Sequence, residues 1–173
     1  MKKYELTEET VTVYGKTLYR IRAVRDFGSV KTREFGGYIE KEENLSHFGN
    51  AWISGDARVS GDARVYGNAW VYGNARVSGD ARVSGNAWVY GNAEVFNTRH
   101  FFVQGPIGSR DGYVTFYRTK DDTVEVRCGC FSGSLQKFVD RVEETHGGSR
   151  YEKEYKLAAE LAKVCIRLEG ESR

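Results

Sequence analysis

The 173-residue sequence contains one proline, three cysteines and a formal net charge of only +2. It has no run of about 20 apolar residues, the length that a membrane-spanning helix needs. Its first ten residues, MKKYELTEET, lack the apolar segment of a secretory leader. Three cysteines are an odd number, so reduced thiols are expected rather than a disulfide framework. The near-neutral net charge gives no bulk attraction to nucleic acid. We therefore expect a cytoplasmic protein with no membrane contact, for which nucleic acid is a disfavoured partner.

Glycine, in contrast, is abundant and recurs every six residues from Gly49 to Phe96. The units are GNAWIS, GDARVS, GDARVY, GNAWVY, GNARVS, GDARVS, GNAWVY and GNAEVF. Ala and Val stand two apart in most units, so on a strand they face the same side, which we assign to the interior. Gly followed by Asn or Asp suits a corner, because these residues tolerate positive φ. The pattern predicts a solenoid in which each unit supplies one short strand and one corner.

These units closely resemble those of the hexapeptide-repeat proteins, whose parallel β-helix is left-handed, with three faces and 18 residues per coil. The resemblance implies that residues 18 apart stack about 4.8 Å apart along the solenoid. It therefore predicts side-chain columns on three faces. The columns are Trp52, Trp70 and Trp88 beside Ser54, Tyr72 and Tyr90 on face 1; Arg58, Arg76 and Glu94 on face 2; and Arg64 and Arg82 on face 3.

The tryptophan column would form a large apolar patch if it were left in water. We expect the chain's own flanks or identical subunits to cover it, which predicts a homo-oligomer, with a trimer as one arrangement. A stacking platform for a ligand is the alternative role of Trp52, Trp70 and Trp88. The arginine columns are either solvated faces or sites for an anion, because like charges one coil apart repel each other.

The segments on either side of the repeats predict separate elements. Residues 1–36 form an N-terminal hairpin cap turning near Gly15, residues 37–104 form the β-helix, and residues 105–173 form a small α+β module. Ile39 and Leu45 are assigned to the inward column that Ala51 continues. In the module, a hairpin turning at Asp121 and Asp122 is followed by two helices, giving the order ββαα.

The helix assignments rest on apolar spacing and on end signals. The first helix begins after Ser132 or Ser134 and ends near Gly147, with an apolar stripe at i, i+3, i+4 and i+7. The second helix spans about 151–168. The stripe consists of Leu135, Phe138, Val139 and Val142.

Resemblance extends over the whole chain once the flanks are included. The segments GGYIEKEENLS, IGSR and CGCF, together with the repeats, look like a family of hexapeptide-repeat proteins encoded in phages and prophages. No activity common to that family is implied. The resemblance favours a non-enzymatic binding protein that acts on a host system, either by sequestering a small anionic, nucleotide-type signal or by blocking a host defence protein.

The candidate ligand site combines basic and aromatic residues, and no cofactor is expected. The segment GPIGSRDG offers backbone amides and an arginine, as in an anion-binding nest. Arginine would hold phosphate while tyrosine stacks on a base. The candidate residues are Ser109, Arg110, Arg118, Arg58, Arg76, Tyr72 and Tyr90.

Two other classes of function remain as alternatives. Many left-handed β-helices are acyltransferases and resemble one another in having a catalytic histidine at a subunit groove, but here the repeats contain no histidine and no insertion; His47 and His100 lie at their rims. A structural or assembly role is the other alternative. Cys128 and Cys130 with His146 are too few ligands for a closed zinc site, so no metal is expected.

Overall fold

The computed structural model describes residues 2–169 and divides the chain into two compact units, Met1–Thr98 and Arg99–Arg173. Met1 and residues 170–173, the last four of the predicted module, lie outside the described residues. The strands of unit 1 are β1 (Tyr4–Val13), β2 (Lys16–Ala23), β3 (Phe35–Ile39), β4 (Trp52–Ile53), β5 (Arg58–Val59), β6 (Arg64–Val65), β7 (Trp70–Val71), β8 (Arg76–Val77), β9 (Arg82–Val83), β10 (Trp88–Val89) and β11 (Glu94–Val95).

The repeats form a β-solenoid of about three turns whose period is the predicted 18 residues. Parallel pairing places Trp52 opposite Trp70 and Trp70 opposite Trp88 on face 1. Face 2 pairs Arg58 with Arg76, and face 3 pairs β6 with β9. The Ala and the Val or Ile of every unit are buried, which confirms the inward assignment. Each strand has only two residues, so the core of the solenoid is a stack of inward alanine, valine and isoleucine side chains that repeats with every coil.

Backbone hydrogen bonds join each coil to the next along the solenoid. The amides on either side of Ile53 donate to the following coil, Trp52 N to Ala69 O at 3.0 Å and Ser54 N to Val71 O at 2.9 Å. The corners repeat as regularly as the strands. At Gly67 the backbone has φ +72, and an added Cβ would lie 3.1 Å from Gly85 N, so this corner requires glycine.

The N-terminal hairpin is confirmed and joins the solenoid at face 2. β1 and β2 pair antiparallel around Tyr14 and Gly15, β2 pairs with β3, and β3 pairs in parallel with β5. Gly37 permits this junction, because a Cβ there would lie 2.5 Å from Ala57 O. Face 2 therefore continues a sheet in the order β1-β2-β3-β5-β8-β11.

The predicted register of Ile39 and Leu45 is wrong. Ile39 pairs with Val59 and Leu45 with Val65, so both occupy the column of the inward valines rather than that of the alanines. The reason is a longer corner in the first coil, where eight residues separate Leu45 from Ile53 instead of the usual six. A strict six-residue count taken backwards from Ala51 therefore misplaces them by two.

The carbonyl groups at the N-terminal end have no preceding coil, and other groups take over as their donors. Lys3 Nζ donates to Ala51 O at 2.7 Å on face 1. Asn44 Nδ2 donates to Ala63 O at 2.8 Å on face 3. Buried carbonyls need such partners, so these side chains close the first coil.

Unit 2 contains a four-stranded antiparallel sheet and two helices. The two-helix module is confirmed, but it has four strands where the sequence predicts two. β12 was missed because Gly105 and Pro106 disfavour a strand, and the 104/105 boundary assigned from the sequence falls within it. β15 was missed because glycine and serine dominate it. The elements are β12 (Phe101–Ile107), β13 (Gly112–Arg118), β14 (Val124–Cys128), β15 (Phe131–Ser134), α1 (Leu135–His146) and α2 (Arg150–Cys165).

The core of unit 2 lies between its sheet and its helices. Val114, Phe116 and Val126 of the sheet pack with Phe138 of α1 and Tyr155 of α2. The predicted hairpin between β13 and β14 is confirmed, including its turn at Asp121 and Asp122.

The ends of the two helices compare closely with the sequence assignments. Ser134 caps α1 by accepting from Lys137 N, and Gly147 is its C-cap, as predicted. α2 ends at Cys165, three residues before the predicted end, because Ile166 adopts extended backbone.

Candidate functional site

The strongest candidate site is the arginine column of face 2. Arg58 and Arg76 lie on neighbouring coils as directly paired residues of β5 and β8, and Tyr38 of β3 is paired on the other side of Arg58. Arg58 is partly buried, and its Nε is buried without a hydrogen-bond partner. A buried N–H of a charged group without an acceptor is costly, so this atom marks a place where an acceptor would be stabilising.

The carboxylates on the hairpin side of this column are committed to other partners. Glu9 accepts from Arg20 at 2.8 Å and from the Tyr38 hydroxyl at 2.9 Å. Glu40 accepts from Lys16 at 3.0 Å and from the Gly61 amide at 2.6 Å. These hydrogen bonds hold the pKa values of both carboxyl groups below the usual range. Both therefore stay ionised and paired away from Arg58.

Among residues 2–169, neither Arg58 nor Arg76 forms an ion pair, whereas the hairpin arginines do. Arg20 pairs with Glu9 and Arg22 with Glu5. Glu94 stands opposite Arg76 on the following coil, but no ion pair joins the two. Two stacked guanidinium groups that no carboxylate bridges repel each other, and an external anion would relieve this repulsion.

Tyr14 completes the site from the tip of the hairpin. Arg76 Nη1 donates to its hydroxyl at 3.4 Å, although 62 residues separate the two in sequence. Its ring is 87% exposed, and its backbone has φ +49 in the turn that it shares with Gly15. The site thus offers two guanidinium groups beside an exposed aromatic ring. Sequence reasoning missed Tyr14 and Tyr38, because only the folding of the hairpin onto face 2 brings them to the arginines.

Face 1 carries an aromatic cluster on the coils next to this site. The rings of Tyr72 and Tyr90 lie 4.5 Å apart, and Trp88 meets Tyr72 edge-on at 6.4 Å. Tyr72 precedes Arg76 by four residues, around one corner of the coil. The two tyrosines assigned to ligand binding therefore pack on each other.

The tryptophan column is covered unequally. Trp52 is fully buried, with Phe27 edge-on at 5.3 Å and Tyr4 at 6.5 Å. Trp70 is partly buried and Trp88 is 43% exposed. The N-terminal flank of the chain itself thus covers the first rung, as one of the two sequence expectations proposed.

The structure does not assemble the predicted anion nest in unit 2. Arg118 is buried, and its Nε donates to Asp122 at 2.7 Å, so an internal carboxylate takes the role expected for a ligand. Arg110 lies beyond the opposite end of β13, about 20 Å away at the usual strand rise. The Gly108 amide donates to Glu154 at 2.6 Å, while Ser109 is exposed.

The histidines at the rims of the repeats have structural partners. His47 stacks on Tyr4 at 4.3 Å, and its Nδ1 accepts from Lys3 N at 3.2 Å. His100 is buried, and its carbonyl oxygen accepts from Arg118 N at 2.8 Å.

The cysteines are free thiols. Burial raises the pKa of Cys128, whereas Cys130 lies exposed in the turn before β15. Within residues 2–169, no group of three His, Cys, Asp or Glu side chains is placed to hold a metal ion. No helix in this part of the chain has the length and apolar character to span a bilayer.

Comparison with known proteins adds information on the repeats only. No curated protein matches the sequence. One family model matches five overlapping stretches, 51–66, 57–73, 63–78, 69–85 and 75–91, all within the solenoid. The solenoid of this chain is therefore similar to the repeat described as the YdcK beta solenoid.

Proposed function

We propose that the protein is a non-enzymatic binding protein whose solenoid holds a small anionic ligand of nucleotide type on face 2. The observation that carries this proposal is the Arg58–Arg76 pair, which forms no ion pair within residues 2–169, and the buried Nε of Arg58, which has no hydrogen-bond partner. Phosphate fits this pair, because a guanidinium group presents parallel N–H donors that match its oxygens.

Tyr14 is the residue on which the base of the ligand would stack. Its exposed ring stands beside Arg76, and stacking of a base on such a ring contributes about 1–3 kcal/mol. Tyr72 and Tyr90 pack on each other, so the proposal does not require them for stacking.

The biological role proposed for this binding is directed at a bacterial host. The phage and prophage resemblance of the sequence motivates sequestration of a nucleotide signal in the host cytoplasm. Blocking of a host defence protein is the variant of this role without a small ligand. Acyl transfer and a structural or assembly role are the alternatives from other classes.

The test is calorimetry of the purified protein with inorganic phosphate and a panel of mono-, di- and cyclic nucleotides. We expect Arg58→Lys and Arg76→Lys to weaken binding by about tenfold or more, because lysine keeps the charge but loses the planar fork. Tyr14→Leu should reduce the affinity for nucleotides and leave that for inorganic phosphate nearly unchanged.

Arg82→Lys is the matched control, since Arg82 stands in the arginine column of face 3 and should not affect binding. Absence of binding to every member of the panel would contradict the proposal and favour a protein partner. Analysis of each mixture for products separates binding from catalysis. Consumption of acetyl-coenzyme A that His47→Ala or His100→Ala abolishes would establish the acyltransferase alternative.

A further inference from the structure

Two thiols stand at the tip of the hairpin between β14 and β15 in unit 2. Cys128 ends β14 and pairs with Phe131 at the start of β15, so Gly129 and Cys130 form a two-residue turn. A chain of two residues spans at most about 7 Å, and a turn shortens that distance. A disulfide needs Cα atoms about 4.4–6.8 Å apart, so the turn brings the two cysteines within range of each other.

The residue between the two cysteines allows the tip to change its conformation. Gly129 has φ +56, and a Cβ at this position would meet no atom within 4 Å. Glycine adopts backbone angles on both sides of φ zero at little cost. The turn can therefore rearrange to join the two sulfur atoms without displacing the core of unit 2.

The two thiols have different environments. Cys130 is exposed, whereas Cys128 is half-buried. Burial raises the pKa of Cys128, and a hydrogen bond from the Tyr155 hydroxyl to its sulfur opposes this rise. The nucleophile in disulfide exchange is the thiolate, and the attacking thiol must be accessible. Cys130 is therefore the thiol that reacts first with a molecule from solution, while Cys128 keeps its proton until the second step.

The hydroxyl of Tyr155 is held at the Cys128 sulfur by the packing of its ring. The ring meets Phe138 edge-on at 5.7 Å. On the other side, a Cβ on Gly108 would overlap the Tyr155 hydroxyl, so the backbone of Gly108 packs directly against it. A hydrogen bond to the charged form of a group favours that form. Tyr155 is therefore a positioning residue that favours ionisation of Cys128.

We propose that Cys128 and Cys130 form a redox-active dithiol that low-molecular-weight disulfides of glutathione type modify. The Cys130 thiolate attacks one sulfur of the small disulfide, which forms a mixed disulfide and releases the other half as a thiolate. Cys128 then loses its proton to that thiolate and attacks the Cys130 sulfur. This step forms the Cys128–Cys130 disulfide and releases the second small thiol. The protein gives up two electrons and two protons, and the small disulfide becomes two thiols.

The disulfide formed in this way should be labile. It lies in an exposed turn and encloses only Gly129. Exposed or strained disulfides are the ones that small thiols reduce readily, in contrast to structural disulfides. Excess reduced glutathione should therefore restore both thiols, which makes the modification reversible.

The experiment treats the full-length protein with glutathione disulfide and follows its mass over time. The wild-type protein should lose two hydrogen atoms and retain no glutathione. Cys128→Ser should stop at the mixed disulfide, with one glutathione bound to Cys130. Cys130→Ser should react about tenfold more slowly or less, because the thiols that remain are partly buried. Cys165→Ser is the matched control and should behave as the wild type does.

Tyr155→Phe tests the role of the hydroxyl, since it keeps the aromatic ring in the core. The first step should be unchanged, but the mixed disulfide should persist longer. Its resolution should also need a higher pH, because Cys128 loses the hydrogen bond that lowers its pKa. Tyr151→Phe, the matched change on the same helix, should alter neither step. Equal pH profiles for Tyr155→Phe and the wild type would contradict the role given to Tyr155.

Three results would overturn the inference. The first is a wild-type protein that keeps glutathione on Cys130, which would show that Cys128 does not resolve the mixed disulfide. The second is a disulfide that peptide mapping assigns to Cys165 or to two protein molecules. The third is the absence of any reaction at Cys130 in excess glutathione disulfide. The anion site on face 2 takes no part in these steps, so failure here leaves that proposal unchanged.

Discussion

At the scale of single residues, Lys3 shows how the solenoid completes its first coil. Its side chain is 0% exposed, its Nζ donates to Ala51 O, and it lies 4.9 Å from the centre of the Phe27 ring. Burial, aided by the nearby charge of Arg25, lowers the pKa of Lys3 from 10.5 to about 8. The hydrogen bond is therefore made at the cost of holding a cation out of water at neutral pH.

This burial predicts a pH dependence of stability. Between about pH 8 and pH 10.5 the unfolded chain binds a proton on Lys3 that the folded chain has released. The free energy of unfolding should therefore rise with pH over this window, by about 2–3 kcal/mol by pH 10. Above about pH 10 the gain should be offset, because burial raises the pKa of Tyr4 and only its unfolded form ionises.

The measurement is urea unfolding of unit 1, followed by circular dichroism at several pH values. Lys3→Met should remove the rise between pH 8 and pH 10, while Lys2→Met, the matched change at an exposed neighbour, should keep it. An unchanged rise in Lys3→Met would show that another group is responsible.

At the scale of elements, the same residue type in one column has different environments. Trp52, Trp70 and Trp88 occupy equivalent positions of β4, β7 and β10, yet only Trp52 is fully buried. The N-terminal segment covers only the first rung, through Tyr4 and Phe27. The solenoid therefore depends on its flank at one end.

This difference predicts unequal costs of truncation. Trp52→Ala should lower the free energy of unfolding by about 3–5 kcal/mol, because it leaves a cavity between the flank and the first coil. Trp88→Ala, the matched change on the same face, should cost about 1 kcal/mol or less, since its ring is 43% exposed. Urea unfolding of both variants measures the two costs. Similar losses would mean that Trp88 is buried in solution by another surface.

At the scale of the whole molecule, the remaining exposed aromatic surface bears on assembly. The expectation of a homo-oligomer began from three uncovered tryptophans, and the flank removes one of them from solvent. Trp88 remains 43% exposed, in contact with Tyr72. Self-association through this end of face 1 is therefore the form of oligomer that we predict.

Light scattering at increasing protein concentration tests this prediction. We expect a mass that is a multiple of 19.6 kDa, and Trp88→Lys should reduce it, because a buried unpaired charge destabilises an interface. Tyr66→Lys changes an aromatic residue of similar exposure beside face 3 and is the control. A monomeric wild-type mass, or equal effects of the two variants, would contradict association through face 1.

The sequence predicts those parts of the fold that arise from a short, repeated pattern. Ala and Val alternate with corner residues in each unit, so burial follows directly from local spacing. The hairpin around Gly15 and the cap of α1 at Ser134 are local in the same sense. At Ile39 and Leu45 the predicted register is wrong because one longer corner shifts the six-residue count by two. The length of that corner cannot be read from the regular units that follow it.

The candidate site is only half predictable from sequence. The stacking of Arg58 on Arg76 follows from the 18-residue period, but the period does not say that the Nε of Arg58 is buried without an acceptor. Arg118 was expected to bind a ligand and instead pairs with Asp122, because the turn between β13 and β14 places a carboxylate 2.7 Å from its Nε. The ion-pair partner of a charged side chain therefore depends on which turn the fold places next to it.

The sequence by itself therefore determined the buried alanines and valines and, through its resemblance to hexapeptide repeats, the three faces and their columns, because hydrogen bonding and packing in a solenoid repeat with the chain. Only the tertiary structure decided the long-range contacts: Lys3 on Ala51, Phe27 on Trp52 and Tyr14 on Arg76. The physical reason is that these contacts join residues 25 to 62 positions apart. Their partners are set by where the hairpin packs, and no periodic pattern encodes that position.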